Sequence, residues 1–139
     1  MRIGSVLAVA QVDTGYADSQ SPPSMNINQA LFQKLQAAGV ALQVRGQSEV
    51  VKRYRLAGDT TVDLVGEGDQ AVRLLNGVTL FVKNSPAAVP VCGGIGTGSQ
   101  PAAQLGASFV NDGTLVVDPI GQRLWFRGAA ALSWPSARP

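Results

Sequence analysis

The residues best placed to do chemistry are Asp13, Thr14 and Gly15, which close the apolar run "SVLAVAQV" at 5–12. Peptide hydrolysis needs neither a metal nor a nucleophilic side chain when two carboxylates share one water. The ionised carboxylate removes a proton from the water, and the protonated one polarises the scissile carbonyl. At about 3 Å apart the two cannot both stay ionised, so they share a proton and their titrations separate. Such a carboxylate needs a rigid strand end and small neighbours. Gly15 allows close backbone approach, and the Thr14 hydroxyl can reach across to a second copy of the loop. Taken alone, Asp-Thr-Gly reads first as a strand followed by an Asx-type turn.

Composition removes the competing chemistries. The chain has no histidine and a single cysteine, Cys92. This excludes Ser-His-Asp and Cys-His catalysis, a His-ligated zinc and an intramolecular disulfide. The other acids have plainer readings. Asp118, in "VVDPIG", is a strand-end turn residue, and Asp18 is a turn residue or a neighbour of the site. Glu67, Gly68 and Asp69 form a polar turn without EF-hand spacing. "GGIGTG" at 93–98 has the glycines of a nucleotide loop, but no helix pattern follows and Pro101 interrupts. Cys92 reads as a small buried apolar residue. Lys52, Arg53 and Arg55, the densest basic stretch, read as the solvated side of a strand. With a net charge of +2 and scattered basic residues, no nucleic-acid partner is expected. No cofactor and no metal are expected either.

The elements that must position Asp13 follow from pattern. A chain of 139 residues, 45% hydrophobic and 14% charged, suits one domain with a real core. Its 16 glycines and 8 prolines favour many turns and short strands. No run approaches the roughly 18 apolar residues of a membrane span. The opening "MRIGSVLAVAQ" is too short for a convincing signal peptide and reads as a strand; the compartment is unknown, with the cytoplasm as the default. In "MNINQALFQKLQAAG", Ile27, Leu31, Phe32 and Leu35 share one helical face. Asn26 or Asn28 caps its start, and Gly39 its end. Strand patterns follow: "ALQVRG", a hairpin within 49–66 turning at Gly58-Asp59, and another turning at Asn76-Gly77. After the glycine-rich loop "VCGGIGTGSQPAAQ" come a turn at Asn111-Asp112-Gly113, the strand "TLVVD", a turn from Pro119 to Gly121 and the strand "RLWFRG". The tail, 128–139, contains Trp134 and reads as irregular.

In this order the elements resemble the retroviral-type (retropepsin-like) aspartic protease family, including its bacterial members. Four features carry the resemblance: the apolar strand entering Asp13-Thr14-Gly15; the segment "MNINQALFQKLQAAG" after it; a Gly-containing hairpin at 49–66, where the family places its flap; and "QLGASFVNDGTLVVDPIGQRLWF". In the last, Leu105-Gly106 match the family's apolar-Gly pair, Phe109 the following apolar residue, and Asp118 the acid closing the next strand. The resemblance implies a single domain over 1–139, with its core at about 3–127. It implies an all-β, closed acid-protease-like barrel with one short α-helix. It also implies a homodimer with an isologous two-fold interface, Asp13 of each copy forming the dyad and Thr14 linking the two loops. The substrate would be a peptide or protein segment in extended form, lying against Tyr16, Ala17 and Gly106 under a flap whose tip is near Gly58 and Asp59. There are departures. Tyr16 stands where many members have Ala or Ser. The segment 17–24 is longer than usual. Gln104 replaces an apolar residue before Leu105-Gly106. Only Met1 to Gly4 precede the first apolar strand, where the family has another strand.

The competing reading is a non-enzymatic β-rich assembly or peptide-binding module, virion- or secretion-associated, or a degenerate protease fold that binds peptides without cutting them. In a binding or assembly module Asp13 to Gly15 is only a turn, and the hairpins and Trp134 serve contacts.

Overall fold

Asn28 is the residue from which the architecture is most easily built. Its side-chain oxygen accepts the Leu31 amide at 2.9 Å and so caps the helix α1 (Gln29–Ala37). The same oxygen accepts the Ala102 amide at 3.1 Å, and the side-chain amide donates to the Gln100 carbonyl at 2.8 Å. One buried asparagine therefore fixes both the start of the helix and the start of a strand 74 residues away. At the other end Gly39 adopts a φ of 71°. The Gly39 amide donates to Gln36 O and the Val40 amide to Leu35 O, the paired bonds of a Schellman motif. Leu31, Phe32 and Leu35 form the buried face of α1.

The computed structural model describes residues 1–16, 23–47, 51–83, 95 and 99–128. Ala17, Asp18, Cys92, the tail with Trp134 and all of the "GGIGTG" loop except Ile95 lie outside the described residues. Among the described residues the chain is mainly β with one helix, as expected. A four-stranded sheet has the order β2 (Val6–Leu7), β1 (Arg2–Ile3), β7 (Val62–Val65), β8 (Ala71–Leu75). A six-stranded sheet has the order β3 (Val9–Val12), β10 (Ala102–Leu105), β4 (Ser24–Ile27), β9 (Thr79–Lys83), β6 (Val51–Leu56), β5 (Leu42–Gln47). The hairpin β11 (Gly113–Asp118) and β12 (Arg123–Gly128) makes a third sheet. The core joins α1 and one face of the six-stranded sheet, where Met25, Ile27, Leu80, Val82, Ala103 and Leu105 are buried, to Ile3, Val6 and Val62 of the four-stranded sheet.

Three expectations need correction. The single strand at 5–12 is broken at Ala8, whose amide donates to Met1 O; β2 turns back on β1, and β3 joins the other sheet. Gly58-Asp59 does not close a hairpin. β6 pairs with β5 and β9, whereas β7 pairs with β1 and β8. The connection is held from outside, with Ala57 N donating to Ala41 O and Gly4 N to Thr61 O. Asn76-Gly77 likewise joins two sheets: β8 pairs with β7 and β9 with β4 and β6. Fully buried Val78 and its carbonyl, which accepts from Leu56 N, anchor that corner. In both places glycine supplies the expected positive φ, but a turn sets chain direction and not the partner. Ladders between the three sheets are absent among the described residues.

Replacing Asn28 by Ala removes the helix cap and leaves the Ala102 amide without its acceptor. A loss of about 2 kcal/mol in unfolding free energy is expected, read as a lower urea midpoint at an unchanged slope.

Candidate active site

Asp13 leaves β3 at the point where β10 ends. Its amide donates to Leu105 O at 2.9 Å, continuing the parallel pairing of β3 with β10 by one residue. Beyond it the chain bends at once. Gly15 N donates to Asp13 Oδ1 at 3.0 Å, and Tyr16 N donates to Asp13 O at 3.2 Å. This is an Asx turn. Thr14 and Gly15 are exposed, while Asp13 and Tyr16 are half-buried.

Leu105-Gly106 meets this turn. Ala107 N donates to Tyr16 O at 2.7 Å, so the residues on either side of Gly106 each bind the Asp13–Tyr16 loop. Gly106 itself is buried, and a β-carbon there would lie 2.5 Å from Tyr16 O and 2.6 Å from its ring. Glycine at 106 is thus required by close approach, not by a positive φ. Tyr16 fills the space.

The second oxygen of Asp13 is held by a side chain that sequence reasoning did not select. Gln104 Nε2 donates to Asp13 Oδ2 at 2.7 Å, a contact between residues 91 apart in sequence. Asn26 Nδ2 in turn donates to Gln104 Oε1 at 2.8 Å. Gln104 had been noted only as a departure and Asn26 only as a possible helix cap. Their signal in the sequence is a polar residue flanked by Ala103 and Leu105, and another flanked by Met25 and Ile27. Two amides inside apolar strands have to bond to something.

These residues share one face of the sheet. Directly opposed residues in a ladder point the same way. The register therefore places Gln11, Gln104, Asn26, Phe81, Arg53 and Gly46 in one row from β3 to β5. Asp13 follows Gln11 on that face by alternation. At the far end of the row, Gly46, Gln47, Val51, Arg53 and Phe81 line an open groove of about 330 Å³. An apolar cavity of about 200 Å³ lies on the opposite face, against Ala10, Val12, Leu64, Leu105 and Phe126. Lys52 and Arg53, adjacent on β6, point to opposite faces, so the basic stretch is not one solvated side.

The structure thus brings Asp13, Thr14, Gly15, Tyr16 and Gly106 together. Gly58 and Asp59 are exposed on the connection between sheets, and no hydrogen bond joins them to the Asp13 loop among the described residues. Asp118 is a turn residue: its Oδ1 accepts the Ile120 amide at 3.0 Å and the Gly121 amide at 2.8 Å. No group of three acidic or thiol side chains able to hold a metal occurs among the described residues, and no described helix is long and apolar enough to cross a membrane. No protein family, curated protein or solved structure matches the chain.

Gly106→Ala forces the β-carbon into Tyr16 and displaces the Asp13 turn. It is expected to cost about 1–3 kcal/mol of stability, with the change centred on residues 13–16 in a backbone amide spectrum.

Proposed function

We propose that the chain is an aspartic endopeptidase of the retropepsin-like kind, acting as a homodimer in which Asp13 of each copy supplies one carboxylate of the dyad. A water between the two carboxylates attacks the peptide carbonyl. One Asp13 takes the water's proton while the other, protonated, donates to the carbonyl oxygen, giving a gem-diol. The first then passes its proton to the peptide nitrogen as the C–N bond breaks, and the second takes a hydroxyl proton back from the collapsing diol, so the dyad again holds one proton.

The observation that carries this reading is the meeting of Asp13-Thr14-Gly15 with Leu105-Gly106. The family resemblance picks out both segments, which lie far apart in the sequence, and they are joined by the Asp13–Leu105 and Ala107–Tyr16 bonds. The exposure of Thr14 and Gly15 suits a loop that meets a second copy of itself. On this reading the three sheets belong to one acid-protease-like barrel. The flap would be the antiparallel pair β5–β6 in place of the 49–66 hairpin, because Gly46 and Arg53 of that pair share the face of Asp13 and border the open groove. An extended peptide would run along this face toward Phe81 and Arg53.

One observation favours the non-enzymatic alternative. The hairpin β11–β12 exposes Val116 and Trp125 side by side on one face and Ile120 at its tip, apolar surface that hydrolysis does not require.

Asp13→Ala decides between the two. The variant is expected to remain a folded dimer by sedimentation while cleavage of a fluorogenic peptide library falls about 10²–10⁴-fold, the usual contribution of a general base. Unchanged cleavage in this variant, or no cleavage by the unaltered dimer over a range of pH, rejects the protease.

A further inference from the structure

We propose that Gln104 is a positioning residue for Asp13: its side-chain amide, oriented by Asn26, locks the Asp13 carboxylate in one plane above the Thr14-Gly15 loop. The kinetic part of this proposal rests on the protease reading, and the structural part does not.

The bond from Gly15 N to Oδ1 is local, and any Asx turn supplies it. It leaves the carboxylate free to rock about its own axis, because one contact fixes one oxygen. The bond from Gln104 Nε2 to Oδ2, at 2.7 Å, is not local: it comes from a strand 91 residues away. Together the two fix both oxygens, so the lone pairs that remain point in a defined direction.

A glutamine amide can present either its nitrogen or its oxygen. Turned over, it would set a carbonyl dipole against the carboxylate, and Asn26 would have to turn over with it. Its side chain is 1% exposed, and it stands directly across from Gln104 in the β10–β4 ladder. Its Nδ2 donates to Gln104 Oε1 at 2.8 Å, so the only amide edge left for Asp13 is the donor edge. The relay is directional: Asn26 donates to Gln104, and Gln104 donates to Asp13. An apolar residue at 104, which the family resemblance leads one to expect, would leave Asp13 Oδ2 unheld and Asn26 Nδ2 without this acceptor. Gln104 gives up no proton in the reaction; it acts through Asp13.

The test uses the full chain, labelled with nitrogen-15, and follows the side-chain amide of Gln104. One of its two protons is expected downfield and slow to exchange. Asp13→Ala should return that proton to the position of a free glutamine, and Asn26→Ala should move it as well. On the kinetic side, Gln104→Leu should lower kcat per titrated active site about tenfold with KM within about twofold, the size of one lost hydrogen bond. A residue of merely structural value would lower the number of active sites and not the rate at each. A Gln104 amide signal indifferent to Asp13→Ala, or a Gln104→Leu enzyme with unchanged kcat, overturns the proposal. If the unaltered protein cuts nothing, the protease reading fails by itself, and the amide signal still decides whether Gln104 holds Asp13. The same signal decides the matter if Gln104→Leu does not fold.

Discussion

The position of β10 between β3 and β4 is the constraint on which the rest of the molecule depends. β3 and β4 are consecutive along the chain, yet they do not pair. β10, from the far end of the sequence, lies between them, parallel to β3 and antiparallel to β4. The chain therefore leaves β3 on one side of β10 and returns as β4 on the other, and Asp13 stands at the departure point. Its backbone amide continues the β3–β10 ladder, so its place is set by sheet hydrogen bonds and not by the loop that follows. Rigidity of that kind is what a group held for chemistry requires.

The two faces of the same strands do different work. Met25, Ile27, Ala103 and Leu105 point toward α1 and bury apolar surface, each large side chain contributing on the order of 1.5–3 kcal/mol. Asn26 and Gln104 point the other way and satisfy one another. Leaving either amide buried and unbonded would cost about 1–3 kcal/mol, so the polar row is stable only when complete. Asn28 extends the same economy past the strand end, tying α1 to the first residue of β10. The element that carries Gln104 is thus held at its start by Asn28, along its length by two ladders and at its end by Tyr16.

Much of this was legible in the sequence, in proportion to how local it is. The helix with its Asn28 and Gly39 ends, and the last two strands with their turn at 119–121, follow from neighbouring residues and are present; Ile27, expected on the helical face, instead ends β4. Gly58 and Gly77 have the positive φ that their place in a turn implies. What the pattern did not reveal is which strands pair. β6 and β7 alternate as hairpin arms would, but Leu56 and Val62 are buried from different sheets. Partner choice depends on the whole core and leaves no mark on a short window. The site divides the same way. Asp13 to Gly15 stand out by type and order. Gln104 and Asn26 become meaningful only once the register sets them face to face.

Asp118 is the internal control for Asp13. Both close an apolar strand, both precede a bend with a glycine in it, and each accepts a backbone amide two residues on through Oδ1. The turn reading of Asp13 is therefore correct as local geometry, and it does not compete with the catalytic one. The difference lies in the second oxygen. At Asp118 no side-chain donor reaches Oδ2 among the described residues, and the turn around it sits exposed at the tip of a hairpin. At Asp13, Oδ2 takes an amide proton from a strand 91 residues away, oriented by an asparagine buried in the next strand. Turn formation requires none of this. Two amide side chains from neighbouring strands, Asn26 donating to Gln104 and Gln104 to Asp13, amount to a device for holding that carboxylate still. Thr14 and Gly15 stay exposed beside it.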